Sequence, residues 1–138
     1  MKIMIDLNIL LDVFQKREPH YYASSMVLNK VLMNEISGDL PAHAITTIYY
    51  LVLKFSNRDK AIEVIDLIIK HFGIVPADKS VFINARGLNI SDFEDAVVAS
   101  LAKFNDDDFI ITRNVSDFKN FPVKAMMPTE FLAIIESV

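Results

Sequence analysis

The sequence has no cysteine and no tryptophan, and only 3 glycines and 5 prolines among 138 residues. Without cysteine the chain cannot form a disulfide scaffold, a zinc finger, an iron–sulfur site or a cysteine nucleophile. The lack of disulfides fits a reducing compartment such as the cytosol. Because glycine and proline are so few, each one present carries information about where a helix or strand ends.

Long apolar runs and a strong charge imbalance are missing as well. No stretch approaches the roughly 20 apolar residues of a membrane-spanning helix. Asp6 follows only three apolar residues at the N-terminus, which argues against a signal peptide. The net charge of −4 excludes a strongly basic protein that coats nucleic acid, but not a nuclease with a few placed cations. We expect a cytoplasmic protein that does not contact membranes.

The residues that are present indicate a substantial core. The chain is 52% hydrophobic, and its length predicts a single domain over residues 1–138. Short apolar runs alternate with segments of helical periodicity, and this alternation predicts an α/β fold: a three-layer α/β/α arrangement with a central, mainly parallel sheet. The predicted strands are residues 3–5, 40–45, 74–75, 109–112 and 123–126.

Several element boundaries follow from local signals. We expect His43 within the second strand, and Thr46 or Thr47 as the cap of the helix that follows it. Gly38 is expected to end the helix before that strand. Ser91, with Glu94 three residues later, matches a capping box at the start of another helix.

Acidic residues are predicted to gather where the parallel strands end. Asp6 closes the first strand, with Asn8 two residues on, and Asp117 follows the strand at 109–112 after a short turn. Asp92 and Asp95 lie three residues apart, so they share one face of a helix. Oxygen ligands without histidine or cysteine suit Mg²⁺ or Mn²⁺. Such metals can activate water and stabilise the leaving oxygen in phosphodiester cleavage.

Structural roles remain open for some of these acids. Asp92 could simply complement the dipole of its helix, and Asp117 could be only a turn residue. Asp12, six residues after Asp6, could face either the cleft or water. The acidic run at residues 106–108 is predicted to be a solvated loop.

Four segments, in this order along the chain, resemble the PIN-domain ribonucleases, the fold of VapC-type toxins. Residues 5–12 read IDLNILLD, similar to the family's opening Asp-x-Asn-x-x-Leu-Asp. Residues 92–96, DFEDA, resemble the helix that carries the third acid in one PIN subgroup. Residues 110–118, IITRNVSDF, are similar to Thr-Arg-Asn/Asp-x-x-Asp-Phe, and residues 128–132, PTEFL, match a common family ending. The resemblance covers nearly the whole chain.

The resemblance implies an endoribonuclease that depends on Mg²⁺ or Mn²⁺. Asp6, Asp95 and Asp117 would coordinate the metal, and Asp92 would be a further catalytic acid. Water activated by the metal would be the nucleophile. The residues expected to orient these carboxylates or to contact phosphate are Asn8, Thr112 and Asn114.

The resemblance also implies partners. VapC-like toxins act on RNA, commonly form homodimers, and are held inactive by a small antitoxin, so we expect an RNA substrate, an antitoxin and a homodimer. Arg113 and Lys119 flank the predicted site and are the first candidates for contacts with RNA phosphates.

One departure from the family concerns a second acid, a glutamate, on the helix after the second strand. Tyr49 and Tyr50 occupy the candidate positions here. A neutral phenol does not replace a carboxylate ligand at pH 7. Asp92 or Asp12 could compensate; otherwise the chain is a PIN-like RNA- or protein-binding module with impaired catalysis.

Two other enzyme classes fit the acids less well. A haloacid-dehalogenase-like phosphohydrolase requires Asp-x-Asp after the first strand, and the second position here is Asn8. A receiver domain requires adjacent acids immediately after that strand and a phosphorylatable aspartate at the end of a middle strand. Neither pattern is present.

Overall fold

The computed structural model of the chain describes residues 1–136. In those residues five strands alternate with helices. The strands are β1 (Lys2–Ile5), β2 (Ser37–Pro41), β3 (Gly73–Val75), β4 (Phe109–Ile111) and β5 (Lys124–Met126). The α-helices are α1 (Leu7–Phe14), α2 (Tyr21–Leu32), α3 (Ala42–Phe55), α4 (Arg58–His71), α5 (Lys79–Arg86), α6 (Phe93–Phe104) and α7 (Pro128–Glu136). A 3₁₀ turn, Val115–Phe118, lies between β4 and β5.

The sheet is parallel throughout, in the order β3-β2-β1-β4-β5. The chain therefore builds outward from the central β1 on one side, and then crosses to build β4 and β5 on the other. The direction of building reverses between β1 and β4. In open α/β sheets, the crevice at such a reversal, beyond the carboxyl ends of the strands, is the usual place for a ligand.

Side chains that alternate along β1 divide the core into two layers. Ile3 and Ile5 pack with the buried faces of α1, α2, α3 and α4. Met4 points to the opposite face, with Ile110 and the apolar sides of α5 and α6. Alternate residues of a strand face opposite sides of its sheet, so a strand covered on both faces is apolar at every position. This confirms the predicted three-layer α/β/α fold.

The second strand and the helix after it begin earlier than predicted. The strand ends at Pro41, and α3 begins at Ala42, so His43 lies in the first turn of a helix rather than in a strand. Thr46 and Thr47 are inside α3 and do not cap it. The apolar residues at 40–45 are as typical of a buried helical turn as of a strand, and this ambiguity caused the error.

Gly38 lies within β2, so the prediction that it ends a helix is wrong. The preceding helix ends at Leu32, and Asn34 adopts the left-handed conformation just beyond it, with φ of 60°. A Cβ on Gly38 would lie 2.8 Å from a methyl group of Val31. Gly38 therefore allows β2 and α2 to pack closely, and it does not form a turn.

The predicted capping box is also placed one residue off. Asp92, rather than Ser91, is the N-cap of α6, and its Oδ1 accepts a hydrogen bond of 3.0 Å from the backbone N–H of Asp95. Aspartate and serine are both strong N-caps. The sequence could not rank two adjacent candidates.

The acidic run at 106–108 is not wholly solvated. Asp107 is buried, and the Nδ2 group of Asn105 donates hydrogen bonds to it and to Asp39, at 3.1 and 2.8 Å. Burial, and then a hydrogen bond with Asp39, raises the pKa of Asp107 to about 8. Gly73, on β3, leaves room for the side chain of Asp39 on β2, because a Cβ on Gly73 would lie 2.1 Å from Asp39 Oδ1.

Candidate active site

Asp6 lies where β1 ends, at the crevice between β1 and β4. Its backbone N–H continues the sheet by donating to the carbonyl of Ile111 at 3.0 Å. Its side chain is 2% exposed. The hydroxyl of Thr112, the residue directly after β4, donates a 2.8 Å hydrogen bond to Asp6 Oδ2. Two adjacent strand ends therefore fix one carboxylate at the edge of the sheet, as the sequence predicts.

Asp95 is brought to the same edge by α6. It is 5% exposed, although it lies in the first turn of its helix. The helix packs tightly along its length, and every residue from Asp95 to Ala102 is buried. Ala96, Ala99 and Ala102 allow this close approach to the sheet. The two acids lie close enough for the negative charge of Asp6 to raise the pKa of Asp95.

Asp117, Asp92 and Asn114 complete the exposed side of the cluster. Asp117 lies in the 3₁₀ turn after β4 and shares a hydrogen bond with the Asp95 side chain. Asp92 adds its charge to Asp95 from the cap of α6. The backbone N–H of Asn114 donates a 3.0 Å hydrogen bond to the Thr112 hydroxyl, which leaves that hydroxyl free to donate to Asp6.

Asn8 lies in the first turn of α1, and its backbone N–H donates to the Asp6 carboxylate. The predicted contribution of Asn8 to this carboxylate therefore comes from its backbone in this structure. Lys119 lies just past the 3₁₀ turn, as its C-cap. The roles assigned to these residues in chemistry stay predictions.

The electrostatics of the site are those of crowded carboxylates. Burial is the main cause that raises the pKa of Asp6; the Thr112 hydrogen bond opposes it, and the negative charge of Glu94 adds to it. Burial, followed by the charges of Asp6 and Asp92, raises the pKa of Asp95 to about 7. Like charges and desolvation both disfavour the ionised form. A cation bound among these groups would favour their ionised forms.

The donor set fits a hard divalent cation. Asp6, Asp95 and Asp117 offer only oxygen, the ligand type of Mg²⁺ and Mn²⁺. In residues 1–136 no lysine, arginine or histidine lies within 4.0 Å of these three carboxylates or of Asp92. No basic side chain in this part of the chain therefore pairs with Asp6 or Asp95, and a bound cation would stabilise the charged forms of both.

Arg113 forms an ion pair with Asp12, an acid outside this cluster. Its Nε lies 3.1 Å from Oδ2 of Asp12, a residue of α1 that is completely buried. Ser24 of α2 donates a 3.2 Å hydrogen bond to the same oxygen. Asp12 therefore faces neither the cleft nor water, and it does not supply a replacement ligand. Its role is to hold the residue between Thr112 and Asn114.

The helix after β2 brings no carboxylate to the site, because α3 contains neither aspartate nor glutamate. Tyr49 packs against the core and Tyr50 is exposed. His43 of α3 approaches a neighbouring acid, Glu94, with its Nε2 3.8 Å from Oε1. One carboxylate oxygen of Glu94 lies within 4.8 Å of oxygens of Asp92 and Asp95. The sequence predicts only a capping role for Glu94. Its position directly before Asp95 was the available signal.

Comparison with known proteins gives the family of the chain. The sequence model of the family described as PIN domain matches residues 2–116. Ribonuclease VapC1 of Aquifex aeolicus (strain VF5) is 26% identical over 135 residues, which cover 94% of this chain and 92% of that protein.

Solved structures share the fold. A chain in the structure of VapBC2 from Rickettsia felis, bound to a DNA fragment from their promoter, has a TM-score of 0.67 at 18% identity, and the match covers 92% of this chain and 98% of that one. A chain of a toxin-antitoxin complex from Klebsiella pneumoniae has a TM-score of 0.68 at 17% identity, covering 91% and 97%. Because the family match spans most of the sequence, this chain belongs to the PIN domain family.

Proposed function

We propose that this protein is an endoribonuclease that depends on Mg²⁺ or Mn²⁺, and that it is the toxin of a toxin–antitoxin pair. The observation that carries the proposal is the burial of two acids, Asp6 and Asp95, at the edge where the sheet reverses direction, with the charge of Asp6 acting on Asp95. Membership of the PIN domain family and similarity to Ribonuclease VapC1 support the reaction class. The cytoplasmic location expected from the sequence belongs to the same proposal.

Asp6, Asp95 and Asp117 would hold the cation, with Asp92 beside them. A divalent ion in such a site activates water and stabilises charge on the phosphate and leaving oxygen. The chain's own contribution is to position the ligands. Thr112 fixes the rotation of the Asp6 carboxylate through its 2.8 Å hydrogen bond, and the burial of α6 fixes Asp95.

Substrate contact would come from groups on the open side of the cluster. Asn114 and Lys119 are exposed and flank the acids. The Arg113 side chain is 25% exposed despite its ion pair with Asp12, and it is a further candidate for contact with an RNA phosphate. The toxin–antitoxin complexes among the structural neighbours support an antitoxin as partner. A homodimer remains part of the proposal.

A second candidate is a PIN-like binding module with impaired catalysis. The observation that favours it is the absence of any acid from α3. The two candidates differ in one property, which is whether the chain cleaves RNA in a metal-dependent way.

The test is incubation of the purified chain with mixed structured and unstructured RNAs in Mg²⁺, Mn²⁺ or EDTA. Asp6→Asn is run beside it, and Asp66→Asn, on the exterior helix α4, is the matched control against contaminating nuclease. We expect cleavage with metal, none in EDTA, and loss in Asp6→Asn but not in Asp66→Asn. Cleavage that persists in EDTA, or in Asp6→Asn, would contradict the proposal.

A further inference from the structure

The acidic cluster of the proposed function repels the phosphates of RNA. In residues 1–136 no basic side chain lies within 4.0 Å of the carboxylates of Asp6, Asp95 and Asp117, and the whole chain has a net charge of −4. Lysines and arginines that contact phosphates supply a large share of the affinity of proteins for nucleic acid. The strand therefore has to be held largely by cations outside this cluster.

A cavity of about 290 Å³ lies between the end of α1 and the turn that joins α3 to α4. Two lysines line it: Lys16, just beyond α1, and Lys60, in the first turn of α4. In residues 1–136 Lys16 forms no ion pair, and Lys60 forms an exposed one of 3.8 Å with Glu63. No acid of the described chain lines the cavity, so its lining is positively charged.

The same cavity is lined by Gln15, the C-cap of α1, whose amide has a donor without a partner. Arg17 Nε donates a 2.8 Å hydrogen bond to Oε1 of Gln15, which fixes the orientation of the amide. Its Nε2 is buried and has no hydrogen-bond partner in the described chain. A buried donor without a partner is costly. A phosphate oxygen in the cavity would supply the missing acceptor.

Lys16 and Phe55 are not explained by folding alone. Lys16 has φ of 49°, at the position after a helix where glycine is the usual residue. Phe55 is at the end of α3, lines the same cavity and is 67% exposed. Proteins that bind single-stranded nucleic acid combine cations for the backbone with aromatic rings on which bases stack. This cavity offers both groups side by side.

We propose that this cavity binds one nucleotide of the RNA strand, away from the bond that is cleaved. Lys16, Lys60 and the amide of Gln15 contact its phosphate. Phe55 stacks on its base. The inference rests on the proposed function, because it concerns the same RNA substrate. Helix α1 joins the two sites, since its 8 residues begin directly after Asp6. It spans about 12 Å, so the bound nucleotide lies a few positions along the strand from the acids.

The experiment measures binding of a fluorescein-labelled, single-stranded RNA to the full chain, by fluorescence anisotropy, in EDTA and at about 50 to 200 mM salt. EDTA prevents metal-dependent cleavage during the titration. The variants remove the cations, the amide donor and the ring: Lys16→Gln with Lys60→Gln, Gln15→Leu, and Phe55→Leu. The control is Lys79→Gln with Lys103→Gln, which removes two exposed lysines from α5 and α6, on the opposite face of the sheet.

We expect the Lys16→Gln, Lys60→Gln variant to bind RNA about tenfold more weakly at the lowest salt, with a salt slope smaller by about 0.7, the contribution of one phosphate of a single strand. Gln15→Leu should weaken binding by about tenfold. Phe55→Leu should weaken it by about fivefold or more at every salt concentration, with the slope unchanged. The control variant should stay within about twofold of wild type.

Three results would overturn the inference: no RNA binding by wild type, a lysine variant equal to its control, or Phe55→Leu equal to wild type. Cleavage of the same RNA in Mn²⁺ is measured in parallel. If wild type binds as expected but does not cleave, the proposed function falls and the nucleotide site stands. If wild type cleaves while the variants bind as wild type does, only the nucleotide site falls.

Discussion

The ion pair between Asp12 and Arg113 allows a quantitative prediction, because its two members are buried to different degrees. Asp12 is completely enclosed, whereas the side chain of Arg113 is 25% exposed. Arg113→Met leaves a carboxylate in the core without its cation. Removing one partner of a buried pair costs about 3–5 kcal/mol.

The lower end of that range applies here. The contact lacks the alignment of a hydrogen bond, and Asp12 Oδ1 has no hydrogen-bond partner in the described chain. We therefore expect a loss of about 3 kcal/mol for Arg113→Met. Asp12→Asn should cost less, about 1–2 kcal/mol, because Ser24 can still donate to the amide oxygen and Arg113 can turn toward water.

The assay is urea unfolding of both variants and of the double variant. With an m-value of about 2 kcal/mol/M, the loss in Arg113→Met moves the midpoint by about 1.5 M. The double variant should be more stable than Arg113→Met alone, because no buried charge is left unpaired. A cost below about 1 kcal/mol for Arg113→Met, or a larger cost for Asp12→Asn, would refute this account of the pair.

Two further predictions concern the polar cluster around Asp39. The pKa of Asp107, about 8 in the fold, lies above its unfolded value, so the folded state binds an extra proton. Stability therefore falls as pH rises from about 4 to 8, by at most about 1.4 kcal/mol per pH unit. In thermal melts, the stability of Asp107→Asn should increase relative to wild type as pH rises, whereas that of Asp106→Asn, at an exposed position, should not; a parallel pH dependence of Asp107→Asn and wild type would contradict the assignment. Gly73→Ala should lower the free energy of unfolding by about 1–3 kcal/mol in urea, because its Cβ would lie 2.1 Å from Asp39 Oδ1. Gly87→Ala should be nearly neutral, because the nearest atom to its Cβ is 3.5 Å away. Equal effects at the two glycines would contradict the packing argument.

The fold was predictable because its signals are local. Alternating apolar strands and amphipathic helices predict a covered parallel sheet, and the acids at the ends of β1 and β4 follow from where those strands end. Asp6 and Thr112 are adjacent for the same reason, since the strands before them are neighbours in the sheet. The family resemblance added the roles of these residues.

The errors arose where a distant contact decides the structure. The local sequence around Asp12 is typical of an exposed helix position, but Asp12 is buried in an ion pair with Arg113, which lies far away along the chain. Asp107 is buried where it forms hydrogen bonds with Asp39 and Asn105. No local sequence pattern distinguishes Asp107 from Asp106. His43 is predicted in a strand but lies on α3, where it approaches Glu94 from a distant part of the chain.

The most direct test of the account is the initial rate of RNA cleavage in Mn²⁺ by the wild-type chain and by Asp95→Asn, purified in parallel and shown by circular dichroism to be equally folded. The carboxylate site predicts that wild type cleaves and that Asp95→Asn is slower by more than about 100-fold, the scale of losing one group that stabilises charge in a transition state. Equal rates in the two proteins would contradict the account, because the buried carboxylates of Asp6 and Asp95 would then have no part in the reaction.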